Sequence, residues 1–143
     1  KMKIRFSIPG DPQGWARTRT NNGSHFTAPP TRGYQNTIRW MAKAAGAKVL
    51  DGPLGIEITA HYRIPASATK SRREAMLHGD DYPTKKPDID NVVKNVLDAL
   101  NKLAWNDDAQ VVSLSVLKLW SDEPRVDVDV FPHTKREIQR RAA

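Results

Sequence analysis

The sequence predicts an α+β fold: a small mixed, mainly antiparallel sheet with helices packed on one face. Three segments alternate apolar and polar residues with the two-residue period of a strand, and a fourth is rich in β-branched and aliphatic residues. Two others repeat apolar residues every three or four positions, as an amphipathic helix does. Alternation needs only one covered face, which favours an antiparallel or mixed sheet with its helices on a single side. At 143 residues the chain is read as one domain, 1–143, with enough length to bury a core.

Met2, Ile4, Phe6 and Ile8 lie on one side of the first strand and Lys3, Arg5 and Ser7 on the other. Pro9-Gly10-Asp11-Pro12 ends it. Residues 13–30 read as a long polar loop holding Trp15, Arg17, Arg19, His25 and Phe26. Arg interleaved with aromatics suits phosphates and unstacked bases, and an ordinary surface loop is the alternative. Thr31 is placed to cap a helix reaching about Leu50, with Tyr34, Ile38, Met41 and Ala45 as its buried stripe and Trp40 at the edge. Gly52-Pro53 breaks the chain before a second strand, Leu54 to Ile64, in which Ile56, Ile58, Ala60 and Tyr62 share a face.

Residues 65–85 read as a mobile basic flap, with a short helix over Ser67 to Leu77 carrying Lys70, Arg72 and Arg73. A merely solvated helix has the same composition. Gln110 to Trp120 is expected as a third strand, and Val126, Val128 and Val130 alternate with Arg125, Asp127 and Asp129 in a fourth, its hairpin partner. A polar basic tail covers 132–143 and includes Lys135, Arg136, Arg140 and Arg141.

Between the flap and the third strand lies the stretch in which the chemistry is sought. Ile89, Val92, Val93, Val96, Leu97, Leu100 and Leu103 describe one buried helical stripe. Asp90, Asn91, Lys94, Asn95, Asp98 and Asn101 are expected on the opposite face. Pro87 and Asp88 mark the helix start. From Lys86 to Asp108 there are five Asp and three Lys, a local charge of −2, whereas the whole chain is +7 and the remainder therefore +9. An acidic island in a basic chain suits a hard divalent cation working on a polyanion. If Asp88, Asp90 and the Asp107-Asp108 pair converge, they make an oxygen-rich site for Mg²⁺ or Mn²⁺, with Lys94 facing the scissile phosphate.

Convergence has a geometric difficulty. A helix of about 15 residues is ~22 Å long, so its ends meet only if the chain folds back, and residues 101–106 are the expected return. The structural alternative gives each acid a local job. Asp88 caps the helix, Asp90 pairs with Lys94, and Asp107-Asp108 belong to a turn.

The run Lys86-Pro-Asp-Ile-Asp-Asn-Val-Val-Lys94, then Asp98-Ala-Leu-Asn101, then Trp105-Asn-Asp-Asp-Ala-Gln-Val-Val112 resembles the signature of the RusA family of Holliday-junction resolvases and related phage and prophage endonucleases. Phe6-Ser-Ile-Pro-Gly10 and the segment around Tyr34 are similar to the N-terminal half of that family. The resemblance implies a Mg²⁺-dependent homodimer that cuts four-way DNA junctions in pairs, a two-fold enzyme on a two-fold substrate. It implies Asp88, Asp90 and Asp108 as metal-binding catalytic acids, Asp107 as an adjacent acid and Lys94 as the essential basic residue. Arg17, Arg19, Lys70, Arg72, Arg73, Lys85 and Lys86 are the expected DNA contacts. One departure stands out: family members often carry Lys-Gly-Arg-Pro-Arg in the first loop, and this chain has Gln13-Gly-Trp-Ala-Arg17.

Two other readings compete, a non-catalytic structure-selective DNA-binding protein on the same scaffold and an RNA-directed or non-specific nuclease. No cysteine is present, so thiolate zinc sites and disulfides are excluded. No apolar run is long enough for a membrane span and no signal-peptide pattern opens the chain, so a cytoplasmic setting, bacterial or phage-infected, is expected. His25, His61, His78 and His133 lack ligand spacing, His61 alone being a faint candidate for the site.

Overall fold

The computed structural model describes residues 3–16, 19–21, 24–26 and 29–134. The main sheet contains β1 (Ile4–Pro9), β4 (Leu54–Arg63), β5 (Val111–Ser121) and β6 (Arg125–Pro132), in the order β1-β6-β4-β5. The β1·β6 and β6·β4 pairs are antiparallel and the β4·β5 pair is parallel, so the sheet is mixed and mainly antiparallel. β2 (Arg19–Asn21) and β3 (Ser24–Phe26) form a separate small hairpin within the expected loop. Among the described residues three α-helices complete the fold: α1 (Pro29–Ala44), α2 (Lys70–His78) and α3 (Ile89–Leu100).

The expected hairpin of the last two strands does not form. β5 and β6 flank β4, joined across its end by Asp122–Pro124. Three residues reach about 10 Å, which matches two strand spacings. Sequence adjacency suggested a pair, but burial decided it: Val126, Val128 and Val130 are buried in the middle of the sheet, between β1 and β4.

One sheet face is covered. Ile4, Phe6 and Ile8 of β1 and Ile56, Ile58, Ala60 and Tyr62 of β4 share a core with Tyr34, Ile38 and Ala42 of α1 and Val92, Val96, Ala99 and Leu100 of α3. α1 stops at Ala44 because Gly46 adopts φ +86° and Ala47 N–H turns back to the Ala42 carbonyl, a left-handed C-terminal cap. The stripe therefore ends on buried Ala42, and Ala45 is exposed. Thr31 lies inside the helix, which opens on Pro29 and Pro30, and its hydroxyl accepts from Ala16 N–H. Trp40 is 73% exposed.

Asn95 departs from its expected polar face. It is fully buried between α1 and α3, where its carbonyl accepts from Gln35 and its amide donates to the Gln13 carbonyl. The pair satisfies its own polar groups and fastens the loop after β1 to α3.

The opposite sheet face is polar. Asp127 accepts from Ser7 (2.6 Å) and lies 3.0 Å from the His61 ring and 3.2 Å from Arg125. Burial pushes its carboxyl pKa up, but Ser7, Arg125 and His61 outweigh that and hold it below its ordinary value of 3.8. A carboxylate with a depressed folded-state pKa contributes stability above its unfolded value, lost as pH falls through the folded one. The denaturant midpoint is therefore expected to fall on acidification below about pH 4, and less steeply in Asp127→Asn. An unchanged slope would show the cluster to be energetically idle.

Candidate active site at the start of the third helix

Asp88 occupies the N-cap position of α3 with extended φ −68° and ψ 153°, yet its side chain makes no capping hydrogen bond. An Asp here normally accepts from the first free amides. Asp90, in the first turn, accepts only from Asn91 N–H, and the expected Asp90–Lys94 pair is absent. Both carboxylates are exposed at the positive end of a helix dipole. Two of the local jobs in the structural alternative are thus unfilled.

Lys94 stands one turn on, 3.8 Å from Asp98 and with its ammonium 4.7 Å from the Trp15 ring centroid. Trp15 is placed by its own N–H, which donates to the Asn91 carbonyl, and by close packing at Gly14. A Cβ at Gly14 would sit 2.9 Å from that of Pro87 and 3.2 Å from that of Asn91, so only glycine lets the loop lie this close to the corner. The residue that departs from the family's cationic loop therefore meets the expected active-site lysine. If this corner performs the cleavage that the resemblance implies, Trp15→Ala is expected to reduce it severalfold, since an exposed cation–π contact contributes about 0.5–1 kcal/mol, and Trp15→Phe to restore most of it. Equal rates in all three proteins would remove Trp15 from the site.

The corner is anchored from below by the sheet. Tyr62 donates to the Pro87 carbonyl at 2.6 Å, and its phenol is pushed up to about 12 by burial and then by the nearby Asp88 charge. It remains a donor at neutral pH. Lys118 lies 4.8 Å over the Tyr62 ring and donates to the Lys85 carbonyl, while Lys85 lies 5.7 Å from the Trp120 ring. Lys94, Lys118 and Lys85 thus each lie over an aromatic ring, Trp15, Tyr62 and Trp120 respectively. Sequence reasoning missed Lys118, although one cation in the apolar run Val111–Trp120 was a usable signal.

The other acids lie elsewhere. Asp107 caps a 3₁₀ turn, Asp108–Gln110, in a capping box: its carboxylate accepts from Ala109 N–H, and Gln110 reaches back to Asp107 N–H. One carboxylate oxygen of Asp108 accepts from the indole of fully buried Trp105 at 2.7 Å. Gln110 also donates to the Leu50 and Gly52 carbonyls, and Val111 pairs with Leu54, so Asp108 adjoins the beginning of β4. Asp88 adjoins Tyr62, eight residues along that strand, or about 26 Å. The expected return over residues 101–106 only closes a local turn, in which Trp105 bridges to Asn101 and Leu50. Among the described residues no three His, Cys, Asp or Glu side chains group as metal ligands. Asp88 and Asp90 are together; Asp108 does not join them within one chain.

The expected DNA contacts are divided. Lys70, Lys85 and Lys86 are exposed. Arg72 pairs with Asp81 at 3.4 Å and Arg73 pairs with Asp122, exposed bridges that contribute little and can exchange for phosphate. Met76, the Asp81–Trp120 hydrogen bond and these bridges give residues 65–85 a resting place on β5, while their motion remains a sequence expectation. Arg17 and the tail from Lys135 lie outside the described residues, and Arg19 is described only as part of β2.

The head of α3 thus carries two exposed carboxylates and a lysine held over an aromatic ring, on a mixed sheet with helices on one face. Residues 9–131 match the family described as Endodeoxyribonuclease RusA, and the chain belongs to that family. It is 37% identical over 132 residues to the uncharacterized protein YqaN of Bacillus subtilis (strain 168), covering 87% of this chain and 93% of that protein. It is 34% identical over 50 residues to the crossover junction endodeoxyribonuclease rusA of Lactococcus phage r1t, covering 34% of this chain and 38% of the phage protein. No helix among the described residues is long and apolar enough to cross a membrane.

Proposed function

We propose that the protein is a Mg²⁺-dependent homodimeric endonuclease that resolves four-way (Holliday) DNA junctions by paired symmetric phosphodiester cuts, in cytoplasmic DNA recombination and repair. The observation that carries this reading is the pair Asp88 and Asp90, adjacent, exposed and unneutralised at the head of α3 in a chain of the RusA family. Their oxygens fit a hard cation, Mg²⁺ or in its place Mn²⁺, but supply only part of a shell. Asp108 completes the set only if it comes from a second copy, because within one chain it stands at the other end of β4. Such a cation would neutralise charge at phosphorus and activate a water.

The remaining roles belong to the chain's own side chains. Lys94, held by Trp15, presents its ammonium to the scissile phosphate. Lys70, Arg72, Arg73, Lys85, Lys86, Arg17 and Arg19 hold flanking phosphates, the interaction that sets affinity and its salt dependence. Trp105 positions Asp108 by fixing one carboxylate oxygen, and Asp107 shapes the turn behind it.

Incubation with an end-labelled junction and Mg²⁺ is expected to yield symmetric nicked duplexes, with cleavage lost in excess chelator and restored by Mg²⁺ or Mn²⁺. Binding with no product under any metal would support the non-catalytic DNA-binding protein instead. Competition with linear duplex and RNA would rank the substrates.

A further inference from the structure

We propose that the outer flank of α1 is a binding track for single-stranded DNA, in which Arg32, Arg39 and Lys43 hold phosphates and Trp40 stacks on an unpaired base. Spacings of seven and then four residues place the three cations on one ridge of the helix, about 16 Å from end to end. α1 contains no Asp or Glu, so the ridge carries a charge of +3 that its own helix does not neutralise.

The arginines set this ridge apart. Arg5, Arg63, Arg72, Arg73 and Arg125 each pair with an aspartate. Arg32 and Arg39 have no such partner among the described residues. Arg39 donates instead to the Asn36 side-chain carbonyl at 2.6 Å, a neutral acceptor that orients the guanidinium and leaves its charge uncompensated. Trp40 stands beside them, 73% exposed. Its neighbours three and four residues away are Asn36, Thr37, Lys43 and Ala44, none of them an apolar side chain large enough to cover the indole. Cations alone would hold any polyanion, and the bases of a duplex are stacked inside it. An open indole in the same stripe selects a strand whose bases are unpaired.

The track begins at the candidate active site. The Thr31 hydroxyl accepts from Ala16 N–H, next to Trp15, and Gln35, one turn before Arg39, donates to Asn95 of α3. The ridge therefore leads from the Gly14–Trp15 loop back along the side of α1 that is turned to α3, a route for a strand that leaves the corner unpaired. The choice of DNA over other polyanions draws on the chain's endodeoxyribonuclease family, whereas binding on the track does not require that the corner cuts.

Fluorescence anisotropy of a dye-labelled oligothymidine in Mg²⁺-free buffer tests the track apart from catalysis. Trp40→Ala is expected to weaken binding about tenfold with its salt dependence unchanged, because a base stack is lost and no phosphate contact is. Trp40→Phe is expected to recover most of the affinity. Arg39→Gln/Lys43→Gln is expected to lower the slope of log K against log salt by about 1.4, two phosphate contacts at ~0.7 each on a single strand. Irradiation with a bromouracil-containing oligonucleotide is expected to cross-link wild type at Trp40, located by peptide mass, and this test stands even if a variant does not fold. Wild-type affinity in Trp40→Ala, cross-linking elsewhere and not at residue 40, or duplex binding as tight as that of oligothymidine and indifferent to Trp40 would overturn the proposal. So would retention by phosphatidylserine vesicles with no affinity for the oligonucleotide. Binding through Trp40 by a protein that cuts no DNA would leave the track standing and remove the nuclease reading. Junction cleavage with oligothymidine binding unmoved by the α1 variants would do the reverse.

Discussion

Asp90→Asn is expected to abolish junction cleavage, by about 10³-fold or more (~4 kcal/mol of transition-state stabilisation), while junction binding stays the same or tightens. The substitution keeps the side chain's size and an oxygen that can accept from Asn91 N–H, so the start of α3 is preserved. It removes one negative charge from a surface that must approach phosphate, which lowers repulsion even as it weakens cation binding. Gel-shift affinity without metal, set beside single-turnover cleavage with Mg²⁺, separates the two effects. A mutant that cuts normally would show Asp90 to be a surface residue and nothing more.

Mixing Asp88→Asn with Asp108→Asn should restore cleavage that neither variant has alone. If each site draws Asp88 and Asp90 from one copy and Asp108 from the other, a mixed dimer contains one doubly damaged and one intact site. With random exchange, half the dimers are mixed, so roughly a quarter of the wild-type sites return, and the products are single nicks in place of paired cuts. Asn at 108 retains an acceptor for the Trp105 indole, so this variant should fold. No recovery after subunit exchange, verified by mass, would mean that the acids do not share a site across copies.

The positions of the strands and helices were legible because most of their residues obey a period. Val126, Val128 and Val130 announced a strand, and Val92, Val96 and Leu100 announced a helix face. Their partners were less legible, since periodicity states which side of a strand is covered and not which neighbour covers its edge. The β5–β6 hairpin was expected from a short turn, and only the burial of both faces' neighbours shows that β4 lies between. Asn95 was misplaced for a related reason: a buried amide looks polar in sequence until its two partners, Gln35 and the Gln13 carbonyl, are in view.

At the site, the type and spacing of Asp88, Asp90 and Lys94 were readable, and their freedom from capping and pairing is what the structure adds. The distance between Asp88 and Asp108 was raised as a difficulty by helix length alone. The proposed escape, a return over residues 101–106, was not readable either way, because turn residues show that a chain bends and not how far it travels.

The pairing order of the sheet has a consequence for biosynthesis. Every ladder in the main sheet includes β5 or β6, the last two strands in the sequence. While the polypeptide is being made, β1 and β4 emerge with nothing to zip against, and the first hundred residues must wait as an unmated, apolar intermediate. Folding is then all-or-none and dominated by distant pairings, which makes it slow and exposes the nascent chain to holdase chaperones. A nascent chain exposed only as far as about residue 110 should display helix but no protected main-sheet amides, and exposure through Pro132 should bring the main sheet into register.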